Sequence, residues 1–220
     1  MEGPHLVYFA DPMCSWCWGF APVIEAAAMA YRAQLRLRLV MGGLRPGTTE
    51  PMKEEARAEI RHHWRAVAAA SGQAFDCQII DEPDFVYDTD PAARAVVLAR
   101  RVDGPAALGF LTALQRAFYA EGRRIGDPEV QADIAAACGF DRPSFREGLR
   151  EMDLAEETWR DYATSQRAGV TGFPTLIAGP QTDGTFLLVS SGFNTLAPVA
   201  ARIEAFLAAE TQDVSETASA

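Results

Sequence analysis

The chain has 220 residues, 49% of them apolar and 23% charged, with 30 acidic against 20 basic side chains and a formal net charge of −10. This is ordinary globular usage at a length that suits one domain, or one domain with a large insertion, and it excludes a disordered or fibrous chain. The acidic balance argues against nucleic acid as a partner, since phosphate neutralisation needs Lys and Arg, and against a membrane surface for the same reason.

Met1-Glu2-Gly3-Pro4-His5 has no cationic run leading into an apolar one and passes directly into a strand-like segment, so the sequence reads as cytoplasmic. The longest uncharged stretch, 184–201, breaks at Ser190-Ser191-Gly192 and contains a proline, unlike a spanning helix. Residues 5–10, His-Leu-Val-Tyr-Phe-Ala, lie between Gly3-Pro4 and Asp11-Pro12 and predict a buried strand. A helix is predicted from Cys14 to about Arg32, with Val23, Ile24, Ala27, Ala28 and Tyr31 on one face. Residues 34–41 alternate apolar and basic side chains, the period of a half-buried strand, and Gly42-Gly43 ends them.

From about Pro51 to Gln166 the pattern turns helical. Ala56, Ile60, His63, Trp64 and Val67 form one apolar face; Leu108, Leu111, Leu114 and Phe118 a second; Val130, Ile134 and Cys138 a third; Phe145, Leu149 and Met152 a fourth. Asp127-Pro128 reads as an N-cap with proline at the first helical position, and Gly139 as the stop of the same helix. Strand character returns at 175–178 and 185–190, separated by Gly179-Pro180 and Asp183-Gly184, which predicts an antiparallel pair. A last helix is predicted at 196–209, followed by an acidic tail at 210–220 that is expected to be mobile.

The chemistry concentrates in Cys14-Ser15-Trp16-Cys17, between the first strand and the first helix. At a helix start, free backbone N–H groups and the positive end of the helix dipole favour a thiolate on Cys14. Cys17, three residues on, returns to the same face, close enough to pair with it. Cys14 is therefore the candidate nucleophile that attacks a disulfide, and Cys17 the thiol that resolves the mixed disulfide. Trp16 and Trp18 offer either an apolar rim for a substrate or ordinary packing. A static disulfide is the blander reading of the pair. A zinc site lacks ligands, because Cys77 and Cys138 are isolated and His62-His63 are adjacent, so no metal or other cofactor is expected.

With the strand, the CxxC helix, a second strand, a long helical block and then Gly169-Val170-Thr171-Gly172-Phe173-Pro174-Thr175, the chain resembles the DsbA family of thioredoxin-like oxidoreductases, most closely its cytoplasmic FrnE-like branch. The resemblance covers about residues 5–208. It implies an α/β, thioredoxin-like fold with a large helical insertion: a core of residues 1–45 and 168–209, and a cap of residues 46–167 forming one wall of a substrate groove. It also implies that the Phe173–Pro174 bond is cis and lies against the CxxC, with Phe173 presenting backbone to an extended substrate. Pro174, Phe173 and Trp16 are thus the expected substrate-binding residues. Better-known periplasmic members carry Pro-His between the cysteines, where this chain has Ser15-Trp16, so a strongly oxidising character does not carry over. Phe75 and the segment from Phe85 to Asp90 also resemble stretches of FrnE-like members.

Other residues have plain structural readings. Cys138 follows Ile134 by four and reads as a core cysteine, while Cys77 falls in a loop and is the more plausible reactive spare. Asp11 reads as a turn residue before a helix and Asp90 as an N-cap before proline, each with a lesser alternative as a proton acceptor. His63 reads as a core or groove histidine.

The leading expectation is a thiol-disulfide oxidoreductase or isomerase acting on protein or small-thiol disulfides with a separate redox partner. The alternatives are a glutathione-dependent transferase or isomerase of the kappa type, against which both cysteines speak, and a non-catalytic adaptor or chaperone.

Overall fold

The computed structural model describes residues 3–217, with side chains up to residue 210. Strand β1 (His5–Ala10) is followed by α1 (Ser15–Tyr31) and β2 (Arg36–Met41). Seven helices follow: α2 (Glu54–Ser71), α3 (Gln78–Asp81), α4 (Asp90–Val102), α5 (Ala107–Tyr119), α6 (Pro128–Ala137), α7 (Arg142–Gly148) and α8 (Met152–Arg167). The chain returns through β3 (Thr175–Gly179) and β4 (Leu187–Ser191) to α9 (Leu196–Thr217). The sheet order is β2-β1-β3-β4, with β1 parallel to β2 and antiparallel to β3, and β3 antiparallel to β4. This is the thioredoxin-like sheet, with the helical insertion between β2 and β3.

Strand β1 is central, and its period of two divides its side chains between two cores. Leu6, Tyr8 and Ala10 enter the main core with α1 and the insertion, while Val7 and Phe9 pack with Val40, Val170, Phe173 and Ile177 on the other face. The insertion shares the main core rather than forming its own: Trp64, Phe110 and Phe118 belong to the same buried cluster as Tyr8 and Cys17.

Polar contacts fasten the insertion at several places, of which two concern the ends of β2 and the interior of α1. Asp161 of α8 accepts the Met41 N–H at 2.9 Å, and Arg100 of α4 donates both to Asp161 and to the Leu39 carbonyl at 2.6 Å, tying two helices to the end of β2. The second place is a proline inside α1. Pro22 has no N–H for the Trp18 carbonyl four residues earlier. Gln73 Nε2 supplies the missing donor at 3.0 Å, and the Trp18 indole N–H donates to the Ala74 carbonyl, also at 3.0 Å.

Element ends differ from expectation where local bonds intervene. Gln34 and Leu35 donate back to the Tyr31 carbonyl, so β2 starts at Arg36. Thr185 bonds through its hydroxyl to Gln181 and Asp183 in the connecting turn, so β4 starts at Leu187. The fourth apolar face spans two helices: Phe145 is buried in α7, but Met152 is 92% exposed at the start of α8. Asp127 caps α6 through the Glu129 N–H as expected, and Gly139 follows the helix with φ 93°. Asp90 is instead the first residue of α4, with Thr89 at the cap. Its carboxylate accepts the Tyr162 hydroxyl and pairs with Arg94. Helix α9 continues past 209 to Thr217, and residues 218–220 of the expected tail lie outside the described residues. Among the described residues no helix is long and apolar enough to cross a membrane.

Candidate active site

Cys14 is the N-cap residue of α1, with extended backbone, φ −93° and ψ 114°, and no side-chain capping bond. The first-turn N–H groups therefore have no partner in the Cys14 side chain. Cys14 keeps 6% of its surface exposed, whereas Cys17, one turn on, is fully buried, and both are free thiols. Burial, reinforced by the neighbouring Cys14, holds the Cys17 thiol well above the usual thiol range, against a weaker lowering by the Asp11 backbone. The two positions thus differ in burial, the outer cysteine keeping a small exposed surface and the inner one none.

The Phe173–Pro174 bond is cis, as is Gly179–Pro180. Cys14 Sγ donates to the Phe173 carbonyl at 3.4 Å, so the turn before β3 meets the CxxC directly. Pro174 is buried, and its carbonyl accepts the Gly192 N–H at 2.8 Å, which fixes the turn to the end of β4. Trp16 and Trp18, left open between rim and packing, take different roles. Trp18 is buried and bonded to the insertion. Trp16 is partly exposed between His63 and Phe193, each at a ring-centroid distance of 5.8 Å. His63 itself is exposed, so it belongs to this rim and not to the core.

Several residues of the site carry no motif. Asp11 is fully buried, and its carboxylate accepts the Met13 N–H at 2.9 Å and the Leu44 N–H at 2.8 Å, clamping the turn before the CxxC to the loop after β2. Desolvation pushes this carboxyl up to about 6, against the pull of those two N–H bonds. The turn reading of Asp11 fits, with a reach to Leu44 that spacing did not indicate. Tyr87 donates to the Met13 carbonyl at 2.7 Å and lies 3.4 Å from the Tyr119 hydroxyl. Tyr8 of β1 is buried against the cysteine pair, and desolvation raises its phenol further above the ordinary range. A hydroxyl on a buried aromatic needs a partner, the one signal by which sequence reading could have singled out these tyrosines.

Cys77 and Cys138 lie apart from this arrangement in the described contacts. Burial, together with Asp81 and Asp76, raises the Cys77 thiol, and burial raises that of Cys138, so neither has an activated environment. Among the described residues no cluster of His, Cys, Asp or Glu could hold a metal ion.

Residues 5–199 match the model of the DSBA-like thioredoxin domain. The chain belongs to the DsbA-like thioredoxin family. A solved structure of a protein disulfide isomerase candidate from Nitrosomonas europaea superposes on this DsbA-like chain with a TM-score of 0.86 and 32% identity, covering 94% of this chain and 98% of that one. The cytosolic disulfide reductase DsbM from Pseudomonas aeruginosa superposes at 0.76 with 29% identity, covering 94% and 98%. A second DsbM structure, with GSH, gives 0.72 and 28%, covering 94% and 99%. The ClpXP adapter protein SpxH of Bacillus subtilis is 25% identical over 173 residues, 78% of this chain and 57% of its own length, so the chain spans little more than half of that relative.

Proposed function

We propose that the protein is a thiol-disulfide oxidoreductase in which Cys14 attacks and Cys17 resolves. The observation that carries this reading is the asymmetry of the pair: a cysteine at the start of α1 that keeps a small exposed surface and faces the Phe173 carbonyl, above one that is fully buried. In the reducing direction the Cys14 thiolate attacks one sulfur of a substrate disulfide, the S–S bond breaks, and one substrate thiolate leaves. Cys17 then loses its proton and attacks Cys14 Sγ, releasing the second substrate thiolate and leaving the Cys14–Cys17 disulfide. Two electrons pass from the dithiol to the substrate, and an external thiol reductant restores the pair. Once Cys14 is disulfide-bonded it no longer donates to Phe173, whose carbonyl is then open to a substrate N–H, while Trp16 lines the approach.

The likeness to disulfide-handling proteins supports this chemistry, and the cytosolic setting of DsbM agrees with the cytoplasmic reading. Replacing Cys17 with alanine should trap mixed disulfides on Cys14, released by dithiothreitol and absent from the Cys14→Ser variant. No trapped adduct with any protein or small disulfide would end the proposal. The direction is read from the potential of the pair: about −270 mV marks a reductant of thioredoxin type and about −120 mV an oxidant.

The SpxH likeness and the aromatic rim of Trp16, His63 and Phe193 favour one second reading, an adaptor that holds a protein client. Client binding that persists in the Cys14→Ser, Cys17→Ser variant, without disulfide turnover, would select it.

A further inference from the structure

The two faces of the sheet are covered very differently. On one face, α1, the insertion and α9 share the main core with Leu6, Tyr8, Leu39, Leu176 and Val189. On the other, the buried cluster is Val7, Phe9 and Val40, and the side chains packed on it, Val170, Phe173 and Ile177, come from the segment leading into β3 and from β3 itself, not from a helix.

The strand register orders this second face into rows that cross the sheet. One row runs Arg36, His5, Gly179, and the next Arg38, Val7, Ile177, Leu188. Phe186 completes the first row, its ring lying over Gly179 and edge-on to His5 with 6.1 Å between ring centroids. Phe186 and Leu188 each leave 45% of their surface exposed, and Arg36 and Arg38 are exposed as well. The third row starts with Val40 and Phe9 and is the part that Val170 and Phe173 cover.

Each open row thus leads from an arginine on β2 to a bare apolar side chain at β4, three strand spacings or about 14 Å away. Neither row contains an acidic residue, in a protein with 30 acidic against 20 basic side chains. The placement of Arg36 and Arg38, beside an exposed apolar strip on a face without acids, is what sets them apart from other free bases of the surface.

Sheets in layered α/β architectures are ordinarily covered by helices on both sides. A strand added at the open edge fits less well, because Arg202 of α9 donates to the Leu188 carbonyl at 3.0 Å and so occupies an acceptor on that edge strand. A second copy meeting the face about a two-fold axis would bring like to like, and the arginines would find no carboxylate there.

We infer that this outer sheet face docks an amphipathic helix of a protein partner, with its apolar stripe over Ile177, Phe186 and Leu188 and acidic side chains along one side reaching Arg36 and Arg38. A helix about 10–12 Å across, laid along the strands, covers the apolar strip and brings its flanking carboxylates to β2. Since α1 and its cysteines lie on the opposite side of the sheet, the docked helix does not cover Cys14. The inference goes beyond the oxidoreductase reading and does not depend on it.

The probe is a stapled helical peptide of about 18 residues with a leucine stripe and glutamates along one side of it. Its binding is read by fluorescence anisotropy. Affinity should fall about tenfold in Phe186→Ser, Leu188→Ser protein and about fivefold in Arg36→Glu, Arg38→Glu protein. All four positions are exposed, and thermal unfolding checks the fold. A counterpart peptide with lysines in place of the glutamates should reverse the charge preference, binding Arg36→Glu, Arg38→Glu protein more tightly than the wild type. The Cys14→Ser, Cys17→Ser variant should bind the first peptide as the wild type does, and loss of binding there would place the peptide at the CxxC and overturn the inference. No binding by the wild type, binding unmoved by either substituted pair, or equal affinity for the two peptides overturns it too. So does a wild-type dimer in sedimentation that Phe186→Ser, Leu188→Ser dissociates, which gives the face to a second copy, or binding to phosphatidylglycerol vesicles that Arg36→Glu, Arg38→Glu abolishes, which gives it to a lipid. Disulfide exchange measured on the same proteins reports on the oxidoreductase reading separately.

Discussion

The Cys14 thiol donates to the Phe173 carbonyl at 3.4 Å across 159 residues of sequence, so the start of α1 and the turn before β3 are one unit. Phe173 is placed from its other end as well. Its ring lies over Gly42, where an added Cβ would fall among the ring atoms, and Tyr162 covers Gly43 in the same way, 2.8 Å from such a Cβ. The two glycines that end β2 are thus seats for two aromatic rings.

Gly42→Ala should therefore expel the Phe173 ring and move its carbonyl away from Cys14. Overpacking of this kind costs about 1–3 kcal/mol, read by urea unfolding, and the rate of disulfide exchange should fall with it. Adding Phe173→Ala should recover stability by making room, without recovering the rate. Wild-type stability and rate in Gly42→Ala alone would show that the ring does not position the carbonyl.

Asp11 predicts a pH dependence of opposite sign to that of most acids. Its carboxyl is raised to about 6 in the fold, against about 3.9 in an unfolded chain. The folded state therefore holds the proton more tightly, and this group's contribution is greatest below pH 4 and is lost as pH rises to about 6. The size of the loss is about 3 kcal/mol. The stability difference between wild type and Asp11→Asn, followed by urea unfolding from pH 4 to pH 7, should shift against the wild type by this order. A difference that stays constant over the range would contradict a buried, protonatable Asp11.

For the reduced protein, the raised Cys17 thiol has a similar consequence at higher pH. The folded state retains a proton that the unfolded chain releases above about 8.5, so stability is kept below that value and declines as pH rises beyond it. Reduced wild type should lose stability between pH 8 and pH 10 relative to Cys17→Ala. Iodoacetamide should modify Cys14 in the native state and reach Cys17 only on unfolding. Equal labelling of both cysteines in native protein would refute the full burial of Cys17.

Gln73 and Pro22 form a pair that a double-mutant cycle can test. Gln73→Leu leaves the Trp18 carbonyl without its side-chain donor, at a cost of about 1–2 kcal/mol. With Pro22→Ala in the same chain, residue 22 regains an N–H for that carbonyl, and the penalty of Gln73→Leu should shrink by half or more. Strictly additive effects would mean that Gln73 does not stand in for the missing backbone donor.

Most of the architecture is legible in the sequence because it rests on short-range pattern. The apolar run of β1, the alternation of β2 and the faces of α5 and α6 name their elements by period, and Asp127-Pro128 and Gly139 bound one of them. The CxxC at a strand-to-helix junction and the Phe173-Pro174 turn likewise stand out as motifs. Period fails where a face crosses a helix break, as between Phe145 and Met152, and where one residue has two plausible caps, as at Thr89 and Asp90.

The sequence by itself determined which residues can do redox chemistry and the order of elements that bear them. Only the tertiary structure decided what surrounds those residues. Asp11 reaches Leu44, Tyr87 reaches Met13, Arg45 settles over Tyr87, and Trp16 joins His63 and Phe193 while Trp18 turns inward. The physical reason is that burial and pairing arise from contacts between distant segments, and a spacing rule carries no information on which distant group will fill a given hydrogen bond or leave a charge unpaired.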